Sequence, residues 1–436
     1  PSHCPSPDPM SKIAIIGSGI AGLGAAHFLH PHHDLTLFEK NDYTGGHTNT
    51  ITVEEADRSV PIDTGFMVFN HATYPNLVRL FQELDVATQK TEMSFSVQHV
   101  PTNLEYNGRS LGLLFGQRRN LLRPRHWKLL LAINRFNTEA VPALTEPKWA
   151  SMSLRQYIDA RGYGEDMFQH YLVPMSSAVW STPPEKMEAF PALTLLRFWH
   201  NHGFLGLSTQ HQWWTVSGGS QSYVRKITAP FAGRIQRNRA VTRVSRTPNS
   251  ATLHFEDGPP QVFDKVILAC HGDQALALLA DPTAQETRLL SNFPYQPNTA
   301  TLHTDPSLMP RTPRCWAAWN YRLDTGKNGE SLPTTHYWMN RLQRVSEKEN
   351  YFVSLNCHDR IDPAKVIRRI DYEHPLFDLP AIKAQGELPS LNTLHPDQTT
   401  YYAGAWFKYG FHEDGFTSGL NAARAILQGN LPPAWT

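Results

Sequence analysis

The chain has 436 residues, 40% of them hydrophobic and 18% charged, with a formal net charge of +1. That length supports two domains with a substantial core, and the near-neutral balance argues against nucleic acid as a general partner. No apolar run is long enough to span a bilayer and no signal peptide is visible, so the chain reads as a large cytoplasmic enzyme.

Residues 1–9, Pro-Ser-His-Cys-Pro-Ser-Pro-Asp-Pro, read as a tag or disordered leader, with Met10 as the natural start. Ile13 to Ile16 read as a buried strand, Gly17-Ser-Gly19-Ile20-Ala21-Gly22 as a tight turn opening a helix, and Leu35 to Phe38 as the next strand, ended by Glu39. This is the G-x-G-x-x-G fingerprint of a βαβ dinucleotide unit, with an acid about 20 residues on. Gly17 permits the turn, Gly19 lets the backbone approach a pyrophosphate, and Gly22 lets the helix pack on the sheet. The helix N-terminus then presents free N–H groups and its positive dipole end to the phosphates. Glu39, followed by Lys40, is placed to accept ribose hydroxyls, which argues against a 2′-phosphate. His30, His32 and His33 read as a solvated surface connection, not a metal site.

A second glycine pair, Gly45-Gly46-His47, follows directly. A simple NAD domain does not need it, whereas FAD proteins often bend the backbone there around the ribityl and pyrophosphate portion. Residues 96–205 read as helix-like, with proline breaks at Pro124, Pro142, Pro147 and Pro174. Within them, Tyr106 to Thr138 contain no Asp or Glu but hold Arg109, Arg118, Arg119, Arg123, Arg125, Lys128 and Arg135, interleaved with Leu, Phe and Trp. Such text suits an anionic membrane surface or the mouth of a tunnel for an acidic lipid. It also suits a lid helix with one core face and one solvated face.

From Val216-Ser-Gly218-Gly219-Ser220 the chain returns to α/β, with strands expected at 240–244, 251–255 and 265–269. Further strands are expected at 299–303, 335–339 and 351–356, and an exposed hairpin loop at 324–332. Cys4, Cys270, Cys315 and Cys357 share no metal-ligand spacing and read as reduced thiols. The fold class expected is α/β: a Rossmann-type FAD-binding domain (10–95, 206–274 and 391–436) interleaved with an α+β substrate domain (96–205 and 275–390) of mixed sheet plus a basic helical lid.

Residues 12–48 resemble the N-terminal FAD motif of the flavin-containing amine oxidase superfamily. That group includes monoamine oxidases, protoporphyrinogen oxidase, phytoene desaturases and the polyenoic fatty acid isomerase. Its second glycine pair is usually followed by Arg, which His47 replaces here. Asp63-Thr64-Gly65-Phe66 resembles its next segment, near the flavin, and Val216–Ser220 the middle motif of phytoene desaturases. Tyr402-Ala-Gly404-Ala405 through Tyr409-Gly-Phe-His412-Glu413-Asp-Gly415-Phe416-Thr-Ser418-Gly419 resembles the closing motif. There a strand ends at Ala-Gly and a Ser-Gly pair opens a helix aimed at the flavin pyrimidine ring. The usual Glu after Ala-Gly is Ala405 in this chain, so its FAD contact must be made differently. No Cys lies in the closing motif, so the resemblance implies non-covalent FAD.

Pro61-Ile-Asp-Thr-Gly-Phe, Asn120-Leu-Leu-Arg-Pro-Arg and Tyr409-Gly-Phe-His-Glu-Asp-Gly further resemble a bacterial branch associated with enzymes that modify membrane fatty acids. Three functions stay open. The first moves hydrogen on an unsaturated acyl chain, as desaturase, oxidase or isomerase. The second oxidises an amine or another small molecule, for which the superfamily usually uses a flavin-linked Lys. The third is a flavin-binding partner protein without turnover. His412 is the first candidate acid–base group, since its unperturbed pKa suits neutral pH, with Glu413 and Tyr409 beside it. The location expected is cytoplasmic, peripheral on the inner membrane face. Nothing in the residues sets the oligomeric state.

Overall fold

The computed structural model describes residues 10–180, 184–206, 209–326, 328, 331–393, 398–429, 431 and 435. The leader, with Cys4, and part of the 324–332 loop lie outside these residues.

The first motif builds a five-stranded parallel sheet. Its strands are β1 (Lys12–Ile16), β2 (Asp34–Phe38), β3 (Ile235–Gln236), β4 (Lys265–Leu268) and β5 (Thr400–Tyr402), in the order β3-β2-β1-β4-β5. Segments far apart in sequence are thus neighbours: β1 is hydrogen-bonded to both β2 and β4, with Ile15 level with Leu37 and Ile267. Ile13 to Ile16 and Val266 to Leu268 are buried without alternation, as expected of parallel strands covered on both faces. Helix α1 (Ile20–Leu29) is buried almost all round, because the sheet covers one side and helix α2 (His412–Ile426) the other.

Helices α1 and α2 cross in close contact. A Cβ on Gly419 would stand 2.1 Å from the Ala21 carbonyl oxygen and 2.9 Å from the Ala25 nitrogen. One on Gly24 would meet the Phe416 ring at 2.9 Å. Small residues therefore let the two backbones touch, and this contact brings the ends of the chain together.

A seven-stranded sheet stands beside the parallel one. Its order is Val366–Pro375, Tyr295–His303, Phe352–Leu355, Ser331–Trp338, Trp319–Thr325, Phe95–His99, Leu104–Asn107. The pairs are antiparallel except that of Trp319–Thr325 with Phe95–His99. Residues 95–107 are therefore strands, against the helix-like reading of 96–205; the helical text starts only at Leu111. One sheet face is apolar, with Ala300, Leu302, Tyr337, Val353 and Leu355 packed against Val60, Ile62 and Met67. The other carries a buried polar chain in which Ser354 Oγ lies 2.7 Å from both His303 Nε2 and His336 Nδ1.

The expected strands at 240–244, 251–255 and 265–269 are present as Val241–Thr247, Ser250–Phe255 and β4. Thr325 faces Ser331 across the expected hairpin. Not every proline breaks a helix. Pro124 opens the helix Pro124–Ala143, Pro142 is tolerated near its end, and Pro147 opens a short turn. Pro174 follows a π-helical turn at Phe168–Leu172, a common way to absorb a missing donor. His30, His32 and His33 occupy the connection from α1 to β2, and Cys270, Cys315 and Cys357 are free thiols.

Candidate functional site

The C-terminal edge of the parallel sheet gathers the predicted residues. Gly17 has φ +105°, and a Cβ there would meet the Ala269 carbonyl at 2.6 Å. A Cβ on Gly22 would stand 2.0 Å from the Gly17 carbonyl oxygen, so both positions require glycine for the turn itself. Gly19 differs: among the described residues beyond its chain neighbours, nothing lies within 4 Å of the Cβ it lacks. Its backbone faces open space at the N-terminus of α1, where Ile20, Ala21 and Gly22 begin the helix and leave first-turn N–H groups unpaired. This is a cradle of the kind a pyrophosphate needs.

Glu39 is buried at the end of β2. One oxygen, Oε2, accepts from the Ser18 N–H at 3.1 Å and the Ser18 hydroxyl at 2.5 Å, and Oε1 accepts from the Asn41 N–H at 2.9 Å. The same Ser18 Oγ accepts from Gly45 N–H at 3.3 Å. Glu39 therefore ties the first glycine turn to the second, and a carboxylate has lone pairs left for a ribose hydroxyl. Lys40 is exposed next to it.

Gly46 is packed against Gly19, where a Cβ would come within 3.1 Å of its Cα. His47 follows and is half-buried, its ring stacked on Tyr372 at 4.7 Å and next to His374 at 5.2 Å. Among the described residues, His47 Nε2 has no hydrogen-bond partner. Burial pulls the His47 imidazole down to about 4, and burial with neighbouring histidines pulls His271 and His374 down to about 3. Three neutral histidines thus meet near the cradle, from segments more than 100 residues apart. Spacing could not have revealed them.

Asp63 is a structural hub. Its carboxylate accepts from Thr50 Oγ1 at 2.5 Å, Ser220 N–H at 2.9 Å, Ser220 Oγ at 2.7 Å and Gln343 Nε2 at 2.6 Å. The following Thr64 hydroxyl lies 2.8 Å from the Tyr372 hydroxyl. Gly65 passes so near His47 that a Cβ would be 2.2 Å from the His47 carbonyl, and Phe66 stacks on His412 at 3.7 Å.

The closing segment differs from expectation in one respect. Ser418-Gly419 does not open the last helix: α2 begins at His412, and Ser418 and Gly419 lie in its middle. Gly419 serves the helix crossing, and Ser418 Oγ accepts from Gly404 N–H at 2.8 Å. The N-terminus of α2 is therefore the His412-Glu413-Asp414-Gly415 turn, with Phe416 behind it. Ala405 lies beside Gly415, whose Cβ would be 3.6 Å from that of Ala405.

Of the three candidate catalytic residues, His412 and Glu413 have their side-chain polar groups engaged. His412 Nε2 lies 2.9 Å from both Thr48 Oγ1 and Tyr223 OH, and burial holds its imidazole well below the ordinary value. Glu413 accepts from the Asn76 N–H at 3.0 Å and the Leu77 N–H at 2.9 Å. It thereby caps the helix Pro75–Glu83, and burial raises its carboxyl. Tyr409 accepts at its carbonyl from Trp180 Nε1 at 3.2 Å, and its ring lies 5.5 Å from Phe198.

Asp414, which sequence reasoning missed, accepts from the Phe411 N–H at 3.0 Å and the Tyr409 N–H at 3.2 Å. Burial pushes its carboxyl up from 3.8 to about 7. A carboxyl raised on folding holds its proton more tightly in the folded chain. Its contribution to stability is full below 3.8 and is lost as pH rises through about 7. Asp414→Asn keeps an acceptor for both N–H groups and is expected to be more stable than the parent at about pH 8, by on the order of 2 kcal/mol. The gain should vanish near about pH 4. Thermal melts of both proteins at the two pH values check this; an equal difference at both would refute it.

Beside this turn stands an aromatic wall. Phe198 stacks on Phe411 at 5.0 Å and on His202 at 3.9 Å, and it meets Trp180 at 4.7 Å. His202 is pulled down to about 4 by burial. No lysine is buried among the described residues, and Lys408 is exposed, its ammonium 5.6 Å from the Tyr409 ring centre.

A parallel sheet with a glycine-lined cradle, closed by a helix from the far end of the chain, is the architecture of a dinucleotide-binding domain. The chain belongs to the flavin containing amine oxidoreductase family, whose model matches residues 20–361. Membership implies a flavin cofactor, FAD. The fold is similar to that of the CLA-producing fatty acid isomerase from P. acnes, with 15% identity, 98% of this chain and 100% of that one covered, and a TM-score of 0.67. It is equally similar to cyclohexylamine oxidase from Brevibacterium oxydans IH-35A, at 15% identity, 96% and 99% coverage and a TM-score of 0.67. A putative protoporphyrinogen oxidase from Exiguobacterium sp. 255-15 matches at 14% identity, 95% and 98% coverage and a TM-score of 0.65. No curated protein sequence matches the chain. Among the described residues no helix is long and apolar enough to cross a membrane.

Proposed function

We propose that the chain is an FAD-dependent oxidoreductase that moves hydrogen on an unsaturated lipid acyl chain, by desaturation, oxidation or double-bond isomerisation. The residues present fit a non-covalent FAD. The open face at Gly19 with the α1 N-terminus would take the pyrophosphate and Glu39 the ribose. Gly45, Gly46 and the unpartnered His47 Nε2 would take the ribityl portion. Thr64, Gly65, Phe66, Gly404, Ala405 and the α2 N-terminus from His412 to Phe416 would frame the ring end. When bound, the flavin supplies hydride acceptance and return.

The observation that carries the acyl reading is the neutrality of the surroundings. The wall formed by Trp180, Phe198 and Phe411 is aromatic, the histidines beside it and beside the cradle are held uncharged by burial, and no described lysine is buried. Such apolar, uncharged surroundings suit a hydrocarbon chain. Within them His412 and Glu413 act as supports: the first fixes Thr48 and Tyr223 against Phe66, the second anchors the Pro75–Glu83 helix.

The test is anaerobic mixing with unsaturated fatty acids, unsaturated phospholipids and amines, read by flavin absorbance and product analysis. An acyl substrate should bleach the flavin, or leave it oxidised while its double bonds move. Bleaching by an amine alone would favour the amine oxidase reading, and no reaction with any of them a non-catalytic flavoprotein.

A further inference from the structure

We infer that the segment 111–131 is a docking surface for an anionic lipid bilayer. Five of the nine exposed large apolar side chains among the described residues fall in this stretch: Leu122 is 89% exposed, Leu111 69%, Leu131 67%, Trp127 46% and Leu121 45%. They lie on elements that are packed together. Trp127 Nε1 donates to the Leu121 carbonyl at 3.0 Å, the Trp127 ring lies 4.9 Å from Phe115, and His126 Nε2 is 3.0 Å from the Leu114 carbonyl. These contacts tie the short helix Leu111–Leu114, the turn Arg118–Leu122 and the helix Pro124–Ala143 together.

A lid helix with a core face and a solvated face explains only half of this. The helix Pro124–Ala143 does bury His126, Leu129, Phe136 and Ala140. Its outward side, one turn apart, carries Trp127 and Leu131, which pay a hydration cost in water with nothing to offset it. The cations fit the same occupant. Arg118, Arg119 and Lys128 are exposed and Arg123 is half-buried, and none of the four has a carboxylate partner among the described residues. The neighbouring acids are taken: Asp166 by Arg125, Glu139 by Arg135 and Glu92 by Arg109 and Arg341. Arg119 and Arg123 each donate to the Asn103 carbonyl, at 2.6 and 3.3 Å, which holds both on this face without neutralising their charge. Exposed apolar side chains with cations that no carboxylate balances match a headgroup layer, where the leucines and Trp127 enter the acyl boundary and the cations meet phosphates.

The surface also leads inward. The helix Pro124–Ala143 rests on Ala192–Asn201 through Phe136 and Trp199, with ring centres 5.9 Å apart. That second helix presents Phe198 to Phe411 and Tyr409. One helix layer therefore separates the proposed bilayer contact from the aromatic wall. The inference does not depend on the substrate, since a protein could dock on lipid whatever it oxidises.

Flotation of the full chain with vesicles of phosphatidylcholine alone, or of phosphatidylcholine mixed with phosphatidylglycerol, tests it. Binding should be confined largely to the mixed vesicles and fall with salt, because surface attraction is screened over about 10 Å at 0.1 M. The double variant Leu121→Ser/Leu122→Ser, and separately Arg118→Glu/Lys128→Glu, should each weaken binding by at least about tenfold. All four side chains are exposed, so melting temperature and flavin content should stay at the parent values and report an intact fold. Equal binding to both vesicle types, no binding to either, or unchanged binding by the leucine variant would overturn the inference. So would a concentration-dependent dimer, seen by size-exclusion chromatography, that the leucine variant abolishes while no vesicle binds, since a second copy would then be the occupant.

Discussion

Gly419→Val is expected to destroy both the fold at the cofactor end and flavin retention. The Cβ alone would stand 2.1 Å from the Ala21 carbonyl oxygen, and the obstacle is backbone, which no rotamer change can clear. To make room, α2 must move off α1. That motion would pull Gly415 from Ile20 and Phe416 from Gly24, and would displace the turn that Asp414 and Glu413 hold. Overpacking of this kind costs about 3 kcal/mol or more. A large loss in melting temperature by circular dichroism, with loss of the 1:1 flavin content, is the outcome expected; a parent-like melt with full flavin would show that the crossing is looser than described.

Gly19→Val should separate cofactor binding from folding. Gly19 has φ −67° and ψ 176°, a conformation open to any residue, and among the described residues beyond its chain neighbours nothing lies within 4 Å of the added Cβ. The change should cost the apoprotein less than about 0.5 kcal/mol. The space the side chain takes is the space proposed for the pyrophosphate, so flavin should be absent after purification while circular dichroism matches that of flavin-stripped parent protein. Retention of full flavin by the valine variant would move the phosphate site elsewhere. The pair is informative together, since one glycine is required by protein backbone and the other by open space.

Local signals carried far in this sequence. The β1 turn was legible because all its parts lie within one βαβ unit and each glycine has its own steric reason. The strands after Val216 were legible from apolar runs bounded by turn residues. What depended on distant partners was not. Phe95-Ser-Val-Gln-His and Leu104-Glu-Tyr-Asn alternate with period two, yet a long Leu-rich text after them concealed the strands, whose parallel partner lies more than 200 residues away. The start of α2 had a readable sign in the acids Glu413 and Asp414, which favour a first helical turn. The reading by resemblance placed the start at Ser418-Gly419, where small residues instead serve a helix crossing. Glu413 caps a helix over 300 residues earlier, and no local pattern announces such a contact. The meeting of His47, His271 and His374 is likewise a product of three separate segments. Asp414 was passed over because its neutral-range titration comes from burial, which only the fold supplies.

Acid precipitation of the purified protein tests most simply whether the two ends of the chain close on FAD without a covalent link. A yellow protein that gives a colourless pellet and a supernatant containing FAD, intact by mass, in a 1:1 ratio to protein is the expected result. Colour retained in the pellet, or a protein that never carries flavin, would contradict it.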